Sequence, residues 1–163
     1  MGSSSARPAD EVETIVNEYA DTLYRICITQ LKNTADAEDA VQTVFLKLLQ
    51  KRPAFESEAH EKAWLIRVTV NVCRDLQRQR KRHPAQALED TDLPAEIQTD
   101  SGVLEALTRV PEKYRIVLTL HYIEGFPVAE IAPIIGKTAS AVKMRLQKGR
   151  KLLEEIYRKE FSE

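Results

Sequence analysis

The chain of 163 residues is poor in the residues that build sheets, disulfide frameworks and membrane spans. It has only five glycines and 6% aromatic residues, and strictly alternating apolar runs are almost absent, which disfavours a β-rich fold. No stretch approaches the roughly 20 apolar residues of a membrane span, and the N-terminus lacks the apolar core of a signal peptide. We therefore expect a helical, cytoplasmic protein.

Signatures of catalysis and of metal binding are also missing. The two cysteines, Cys27 and Cys73, lie among apolar residues, which favours buried reduced thiols over a disulfide. The three histidines are far apart, and there is no Cys-x-x-Cys pair or phosphate-binding glycine loop. We expect no enzyme, no catalytic residue, no metal site and no cofactor.

Charge is segregated along the chain, although the formal net charge is only −1. Residues 8–61 carry 11 acids and 5 bases, whereas residues 62–82 carry seven bases and one acid. Residues 83–108 carry six acids and no lysine or arginine, and residues 137–151 carry six bases and no acid. Two basic patches divided by an acidic segment suggest two contacts on one polyanion.

Helical periodicity predicts an all-α fold of two small helical domains. The first domain, residues 10–82, is expected to hold helices at 10–32, from Asp36 to Pro53, and at about 61–82. The second, residues 101–163, is expected to hold helices at about 101–109 and 112–123, followed by a helix-turn-helix. Residues 83–100, with five acids and two prolines, predict a flexible acidic linker that lets the domains sit well apart. Residues 1–9 are expected to be a disordered end or a cloning remnant.

The helix-turn-helix pattern spans residues 124–153. Its first apolar stripe ends at Gly136, which can take the positive φ of a chain reversal, and Thr138 is a good N-cap for the second helix. The cations of this second helix favour nucleic-acid binding over an ordinary helical hairpin with a solvated basic face. Pro133 removes a backbone donor from the first helix, so a kink or a tightened turn is expected there.

Polar residues also form a stripe on the third helix. Arg67, Asn71, Arg74 and Arg78 recur at intervals of four, three and four residues, close to Trp64. Arginine can hold phosphates and stack on bases, and asparagine can pair with a base edge, so the stripe suits melted or single-stranded DNA. A lone tryptophan is by default a core residue, and a solvated face remains the alternative for single arginines.

The second helix presents a different kind of surface. Asp36, Asp39, Gln42 and Leu46 are expected to share a face turned away from its apolar stripe. An exposed leucine within an acidic and amide patch suggests a protein contact, and a solvated acidic face explains the same residues equally well.

Together these segments resemble a bacterial RNA polymerase sigma factor of the compact extracytoplasmic-function (ECF) group. Residues 36–45, DAEDAVQTVF, resemble the region 2 segment that docks on the β′ clamp helices. Residues 63–75, with AWLIR at their start, resemble the part that melts and reads the minus-ten element. Residues 107–118 and 130–146 resemble region 4, which reads the minus-thirty-five element. The similarity covers residues from about 15 to 155.

The resemblance implies a transcription initiation factor that responds to a stress or envelope signal. Its implied partners are core RNA polymerase (the β′ clamp helices and the β flap), promoter DNA and an anti-sigma factor, and no membrane insertion is expected. The implied polymerase contacts are Asp36, Glu38, Asp39, Gln42 and Leu46. The implied DNA contacts are Trp64, Arg67, Asn71, Arg74, Arg78, Thr138, Ser140, Lys143, Met144, Arg145 and Lys148.

Two positions of the second helix of the turn depart from the family pattern. Ala141 stands where relatives usually carry a hydroxyl, and Met144 stands where they carry a small polar residue. The first change removes a possible phosphate bond, whereas the methionine could touch a thymine methyl group. These two residues leave the promoter sequence open.

Two other classes of function compete with this interpretation. A stand-alone helix-turn-helix repressor would use its N-terminal domain to sense a ligand or to dimerise. A helical adaptor that binds only proteins would explain the acidic helix but not the two basic ones. Binding to core RNA polymerase separates a sigma factor from both.

Overall fold

The computed structural model describes residues 9–51, 53–82 and 102–161, which form two helical domains. The N-terminal domain consists of three long helices that pack against one another around fully buried side chains such as Leu23, Val44 and Ile66. These helices are α1 (Ala9–Leu31), α2 (Thr34–Lys51) and α3 (Glu58–Arg82).

The boundaries of these helices are set by polar caps. Lys32 adopts φ 60° and ends α1 in the left-handed conformation, and its N–H donates to Ile28 O at 2.9 Å. The side-chain oxygen of Asn33 accepts from Asp36 N at 2.9 Å, so α2 begins two residues before the expected Asp36. Ser57 Oγ accepts from His60 N at 3.1 Å, which starts α3 earlier than the apolar periodicity indicates.

The C-terminal domain is built from shorter helices and tight turns. The helix that begins at Glu112 is α-helical only to Leu118 and continues as a π-helical turn, whereas the sequence predicted one helix over 112–123. Its elements are α4 (Val103–Thr108), α5 (Glu112–Leu118), the π-helical turn (Thr119–Ile123), α6 (Val128–Ile135) and α7 (Ala139–Phe161).

The predicted helix-turn-helix is present in α6 and α7. Gly136 ends α6 with φ 70° and ψ 35°, as expected of the residue that reverses the chain. Thr138 Oγ1 accepts from Ala141 N at 3.1 Å and caps α7, which confirms its role as an N-cap. Pro133 lies inside α6, which ends two residues later. The kink expected there stays a prediction.

A glycine inside α7 allows close packing of that helix on α5. A Cβ atom added at Gly149 would lie 3.2 Å from Tyr114 Cβ and 3.1 Å from Leu118 Cδ1. Such distances are shorter than ordinary van der Waals contact, so the absence of a side chain lets α7 approach α5. Glycine lowers helix stability by about 1 kcal/mol relative to alanine, and the contact with α5 offsets this loss.

The two domains pack against each other, which corrects the expectation that they sit well apart. Helix α1 contacts α4, α5 and the π-helical turn, and α3 contacts α6. The acidic linker predicted at 83–100 and the N-terminal residues 1–8 lie outside the described residues. Among the helices that are described, none combines the length and apolar content required to cross a membrane.

The two cysteines lie in the core of the N-terminal domain, as the sequence predicted. Cys27 on α1 and Cys73 on α3 are both free and buried, and their sulfurs are 3.7 Å apart. The hydrogen bond with Cys27 and burial together raise the pKa of the Cys73 thiol well above its ordinary value. A neutral, buried thiol is a poor nucleophile, so this pair acts as packing.

Candidate polymerase and DNA interfaces

Helix α2 presents a mixed acidic and apolar surface on the side away from its buried residues. Val44 and Leu48 are fully buried on one side of the helix, whereas Leu46 is 54% exposed on the other. Glu38, Asp39 and Gln42, which the sequence predicted as polymerase contacts together with Leu46, are also exposed. We call this surface the docking face, and it consists of Glu38, Asp39, Gln42 and Leu46.

Asp36 does not belong to the exposed docking face, which corrects the sequence interpretation. Its carboxylate is half-buried and forms an ion pair with Arg80 on α3. Burial lowers the pKa of the Arg80 guanidinium, and that group also donates to Leu31 O at 3.2 Å. Asp36 therefore ties the start of α2 to the end of α3, and its contact with a polymerase stays a prediction.

The stripe on α3, which we call the reading stripe, consists of Arg67, Asn71, Arg74 and Arg78. Arg67, Asn71 and Arg78 are exposed, and Arg78 forms a surface ion pair of 3.5 Å with Asp75. Arg74 is half-buried because it points toward the other domain, where its Nη2 donates to Ile135 O at 3.5 Å. Three of the four residues of the reading stripe are therefore exposed, and the fourth, Arg74, contacts the C-terminal domain.

Trp64 takes a position between core and surface. It is half-buried against the N-terminal core, and its ring makes an edge contact with Phe55 at a centroid distance of 5.8 Å. The Phe55 ring makes a second edge contact with His60 at 5.5 Å. Phe55 and His60 were not singled out by the sequence, and they hold Trp64 beside the start of the reading stripe.

The N-terminal half of α7 carries the predicted duplex contacts. Thr138, Ser140, Lys143 and Lys148 are exposed, and Met144 is 70% exposed. Arg145 is half-buried and lines the cleft between the two domains together with Arg74. An exposed methionine of this size on a basic helix is available for an apolar contact with a base edge.

A groove of about 650 Å³ runs beside these residues and includes side chains that the sequence interpretation missed. Lys113 and Lys148 place their ammonium groups 5.1 and 5.5 Å from the centre of the Tyr114 ring. The hydrogen bond from Lys148 is the main reason that the pKa of Tyr114 is lowered. We call this the basic groove, and it is lined by Lys113, Tyr114, Ala141, Met144, Arg145, Gln147, Lys148 and Lys151.

The sequence signal for Lys113 and Tyr114 was weak because they lie on α5 rather than on the helix-turn-helix. Their place in the groove depends on the close packing at Gly149, which brings α7 onto α5. The groove therefore combines cations from two helices and matches the chemistry of a phosphate backbone.

Comparison with known proteins gives a family for these two domains. Residues 15–83 match the family model of sigma-70 region 2, and residues 102–153 match that of sigma-70 region 4. The chain belongs to the ECF sigma factors. It is 30% identical over 138 residues to the ECF RNA polymerase sigma factor SigM of Mycobacterium tuberculosis, covering 82% of this chain and 70% of the relative. It is 27% identical to SigW of Bacillus subtilis, covering 91% and 90%.

Two solved structures share the fold of this sigma factor. The sigma factor RpoE of Bartonella quintana, crystallised with the anti-sigma factor NepR, matches with a TM-score of 0.72 and 23% identity. That match covers 92% of this chain and 98% of the other. CnrH, in complex with the cytosolic domain of CnrY, matches with a TM-score of 0.73 and 22% identity over 94% of this chain and 91% of the other.

Membership of this family decides between the functions left open by the sequence. The chain carries both sigma regions in order, so it is a transcription initiation factor that binds core RNA polymerase and directs promoter recognition, and not a stand-alone repressor. Its family consists of DNA-binding initiation factors rather than enzymes.

Proposed function

We propose that this sigma factor divides its work among three separate surfaces. The docking face on α2 binds core polymerase at the β′ clamp helices, and the reading stripe on α3 holds the opened minus-ten strand. The basic groove and the start of α7 hold the minus-thirty-five duplex, with the C-terminal domain placed by the β flap. The N-terminal domain, residues 10–82, and the C-terminal domain, residues 101–163, are the units that carry these roles.

The observation that supports this division is the contrast between the surfaces of α2 and α3. Both helices bury their apolar residues in one core, yet α2 exposes acids, an amide and a leucine while α3 exposes arginines and an asparagine. A partly apolar, acidic surface suits a protein partner, and a cationic stripe suits a nucleic acid.

Within the duplex-reading surface, cations and the exposed methionine have different tasks. Lys143 and Lys148 attract phosphates, which positions the helix without reading sequence. Met144 contributes apolar contact at base edges and selects for a thymine methyl group. Thr138 and Ser140, at the capped start of α7, contact the backbone through hydroxyl groups and helix N–H groups.

We further propose that the protein acts in the cytoplasm, responds to an envelope or stress signal and is restrained by an anti-sigma factor. The support is the likeness of its fold to two sigma factors, one solved with an anti-sigma factor and one with the cytosolic domain of CnrY.

The experiment that tests the docking face is a charge reversal at its centre. Asp39→Arg combined with Gln42→Ala should weaken binding to core polymerase by about tenfold or more, equivalent to at least about 1.4 kcal/mol, because it places a cation where the partner meets an acid. Binding is measured by titrating labelled protein with purified core polymerase.

Glu13→Arg provides the matched control, because Glu13 is an exposed acid on α1 outside the docking face. It should leave polymerase binding within about twofold and the helical circular dichroism spectrum unchanged. Equal binding by the docking-face variant and the control, with both proteins folded, would remove the docking face from the proposal.

A further inference from the structure

The side chain of His60 accepts a hydrogen bond from the loop that precedes α3. The backbone N–H of Glu56 donates to His60 Nδ1 at 3.1 Å. A backbone N–H can only donate, so Nδ1 is the unprotonated nitrogen and the proton of the neutral imidazole lies on Nε2. In the same turn, Ser57 Oγ accepts from His60 N at 3.1 Å. The backbone and the side chain of His60 therefore both fasten this loop to the start of α3.

This arrangement is close to a capping box, with a histidine in place of the usual acceptor. In a capping box, a glutamate or glutamine at the third helical position accepts from a backbone N–H that precedes the helix. His60 is the third residue of α3 and has that role toward Glu56 N. An amide oxygen stays an acceptor at any physiological pH, whereas both nitrogens of a protonated imidazole are donors. A proton can therefore remove this cap.

The loop also contacts Trp64. Phe55 lies in the loop, and its ring makes edge contacts with the rings of His60 and Trp64 at centroid distances of 5.5 and 5.8 Å. His60 and Trp64 are four residues apart and share a face of α3. Trp64 in turn precedes Arg67, the first residue of the reading stripe, by three residues. A change in the bond between Glu56 and His60 thus reaches the reading stripe through two aromatic contacts.

His121 in the C-terminal domain shows how the same side chain can be insensitive to a proton. Its Nδ1 lies 2.8 Å from Phe126 O. A carbonyl oxygen can only accept, so Nδ1 of His121 carries hydrogen in both the neutral and the charged ring, and the bond persists. His60 is exposed to solvent and takes up a proton without any prior opening of the fold. Of the two histidines within the described residues, His60 is the one whose backbone bond requires a neutral ring.

The surroundings of His60 are mainly acidic. Helices α1 and α2 both contact α3, and Glu18 and Tyr19 of α1 line a cavity of about 340 Å³ with Glu58 of α3. Burial, together with the neighbouring carboxylates, raises the pKa of Tyr19 to about 12, so its hydroxyl stays neutral. A protonated ring is therefore offered carboxylates in place of the lost N–H. The charged and titratable groups of these elements are Glu56 of the loop, Glu58, Glu61 and Lys62 of α3, Glu18 and Tyr19 of α1, and Lys51 at the end of α2.

We propose that His60 is a positioning residue for strand opening, which holds Trp64 in place through the loop only while its imidazole is neutral. Strand opening by the polymerase complex then weakens as the pH falls from about 8 to about 5, the interval in which histidine side chains gain a proton. This inference rests on the proposed role of α3 in holding the opened strand. Duplex binding through α7 does not depend on this bond.

Fluorescence of the free protein tests whether His60 holds Trp64. Trp64 is the single tryptophan of the chain, so its emission reports on this site. Acrylamide, a neutral quencher, should reach Trp64 more readily at about pH 5.5 than at about pH 8 in the wild type, because the loop is released. His60→Gln keeps an acceptor that does not titrate and should behave at both pH values as the wild type does at high pH. His60→Leu removes the acceptor and should behave at both as the wild type does at low pH.

Permanganate footprinting of promoters tests the effect on strand opening. The yield of open complex with the wild type is divided by the yield with His60→Gln at each pH, which removes the pH dependence of the polymerase and of the reagent. This ratio should fall by about threefold or more between about pH 8 and about pH 6, while the ratio for closed duplex binding stays constant. His83→Gln removes another histidine and is the matched control, since it should keep the wild-type pH dependence.

The outcomes separate this inference from the proposed function. Equal pH dependence of opening and quenching in the wild type and in His60→Gln would overturn the positioning role, as would a folded His60→Leu variant that matches the wild type at about pH 8. Normal strand opening by Arg67→Ala with Asn71→Ala would instead count against the proposed function of α3. In that case the quenching of the free protein still decides whether His60 holds Trp64 in a pH-dependent manner.

Discussion

The two domains position their predicted binding residues in different ways. In the N-terminal domain, three helices of 23, 18 and 25 residues carry the docking face and the reading stripe as continuous rows on regular helices. In the C-terminal domain, helices of six to eight residues and their turns place one long helix, α7. The helical repeat places the binding residues of α2 and α3. The binding residues of α7 are placed by a left-handed glycine, a helix cap and buried hydrogen bonds to backbone carbonyls.

This difference determines how each domain responds to substitution. Exposed residues on a long helix can be exchanged with little effect on the helix, because the opposite face supplies the packing energy. The turns of the C-terminal domain depend on Gly136, Thr138 and Arg115, each of which satisfies a backbone requirement that other residues meet poorly. We therefore expect the C-terminal domain to be the more sensitive of the two.

The largest expected effect is that of Arg115→Met. The substitution keeps an apolar stem but leaves the carbonyls of Thr108 and Val110 without their donor, so the unfolding free energy should fall by about 3 kcal/mol. Urea titration followed by circular dichroism measures the loss. Arg109→Met, which removes surface ion pairs in the same domain, should cost less than about 1 kcal/mol. Equal losses would show that burial of Arg115 is not what stabilises this domain.

A smaller effect is expected where the two domains divide their contacts with DNA. Lys143→Ala with Lys148→Ala should weaken promoter binding by the polymerase complex to a similar extent on different promoter sequences and lower the salt slope of binding by about two, because two phosphate contacts are lost. Arg67→Ala with Asn71→Ala should spare initial duplex binding and impair strand opening, detected by permanganate footprinting. A pre-melted template should rescue only the second pair, and rescue of only the first pair would mean that the roles are reversed.

The smallest effect is expected at the contact between α5 and α7. Gly149→Ala gains about 1 kcal/mol of helix propensity, but the added methyl group meets Tyr114 Cβ, which cannot rotate away because it is next to the backbone. Overpacking of this kind costs about 1–3 kcal/mol, so a net loss of about 1 kcal/mol is expected in thermal unfolding. Gly136→Asn serves as a comparison, since that site has open space and asparagine tolerates its positive φ. A stabilised Gly149→Ala variant would show that α7 can shift away from α5.

Much of the fold could be predicted from the sequence because long helices impose a period on their apolar residues. The periodicity over α1, α2 and α3 gave helices whose ends agree with the structure to within about three residues. The turn at Gly136 and the cap at Thr138 were also predicted, since each residue type has a specific backbone role. The same periodicity also predicted that Asp39, Gln42 and Leu46 of the docking face lie opposite the apolar stripe of α2.

The features that were missed depend on contacts between residues far apart in the chain. Arg115 has the sequence signature of an ordinary surface arginine, and its buried partner at Gln30 is 85 residues away. Asp36 matched the family segment by position, yet it forms an ion pair with Arg80 on another helix and is half-buried. Likewise, Lys32 takes a left-handed conformation because the tight connection between α1 and α2 requires it. Lysine rarely adopts this conformation, so the sequence did not predict it.

The exposure of Leu46 and its acidic neighbours has a consequence for how a partner can bind. Helix α2 packs on α1 and α3, and its outer face keeps a leucine that is 54% exposed to solvent. A partner that covers this leucine removes apolar surface from water without displacing any helix that the structure describes, so the cost of preparing this face for binding is small.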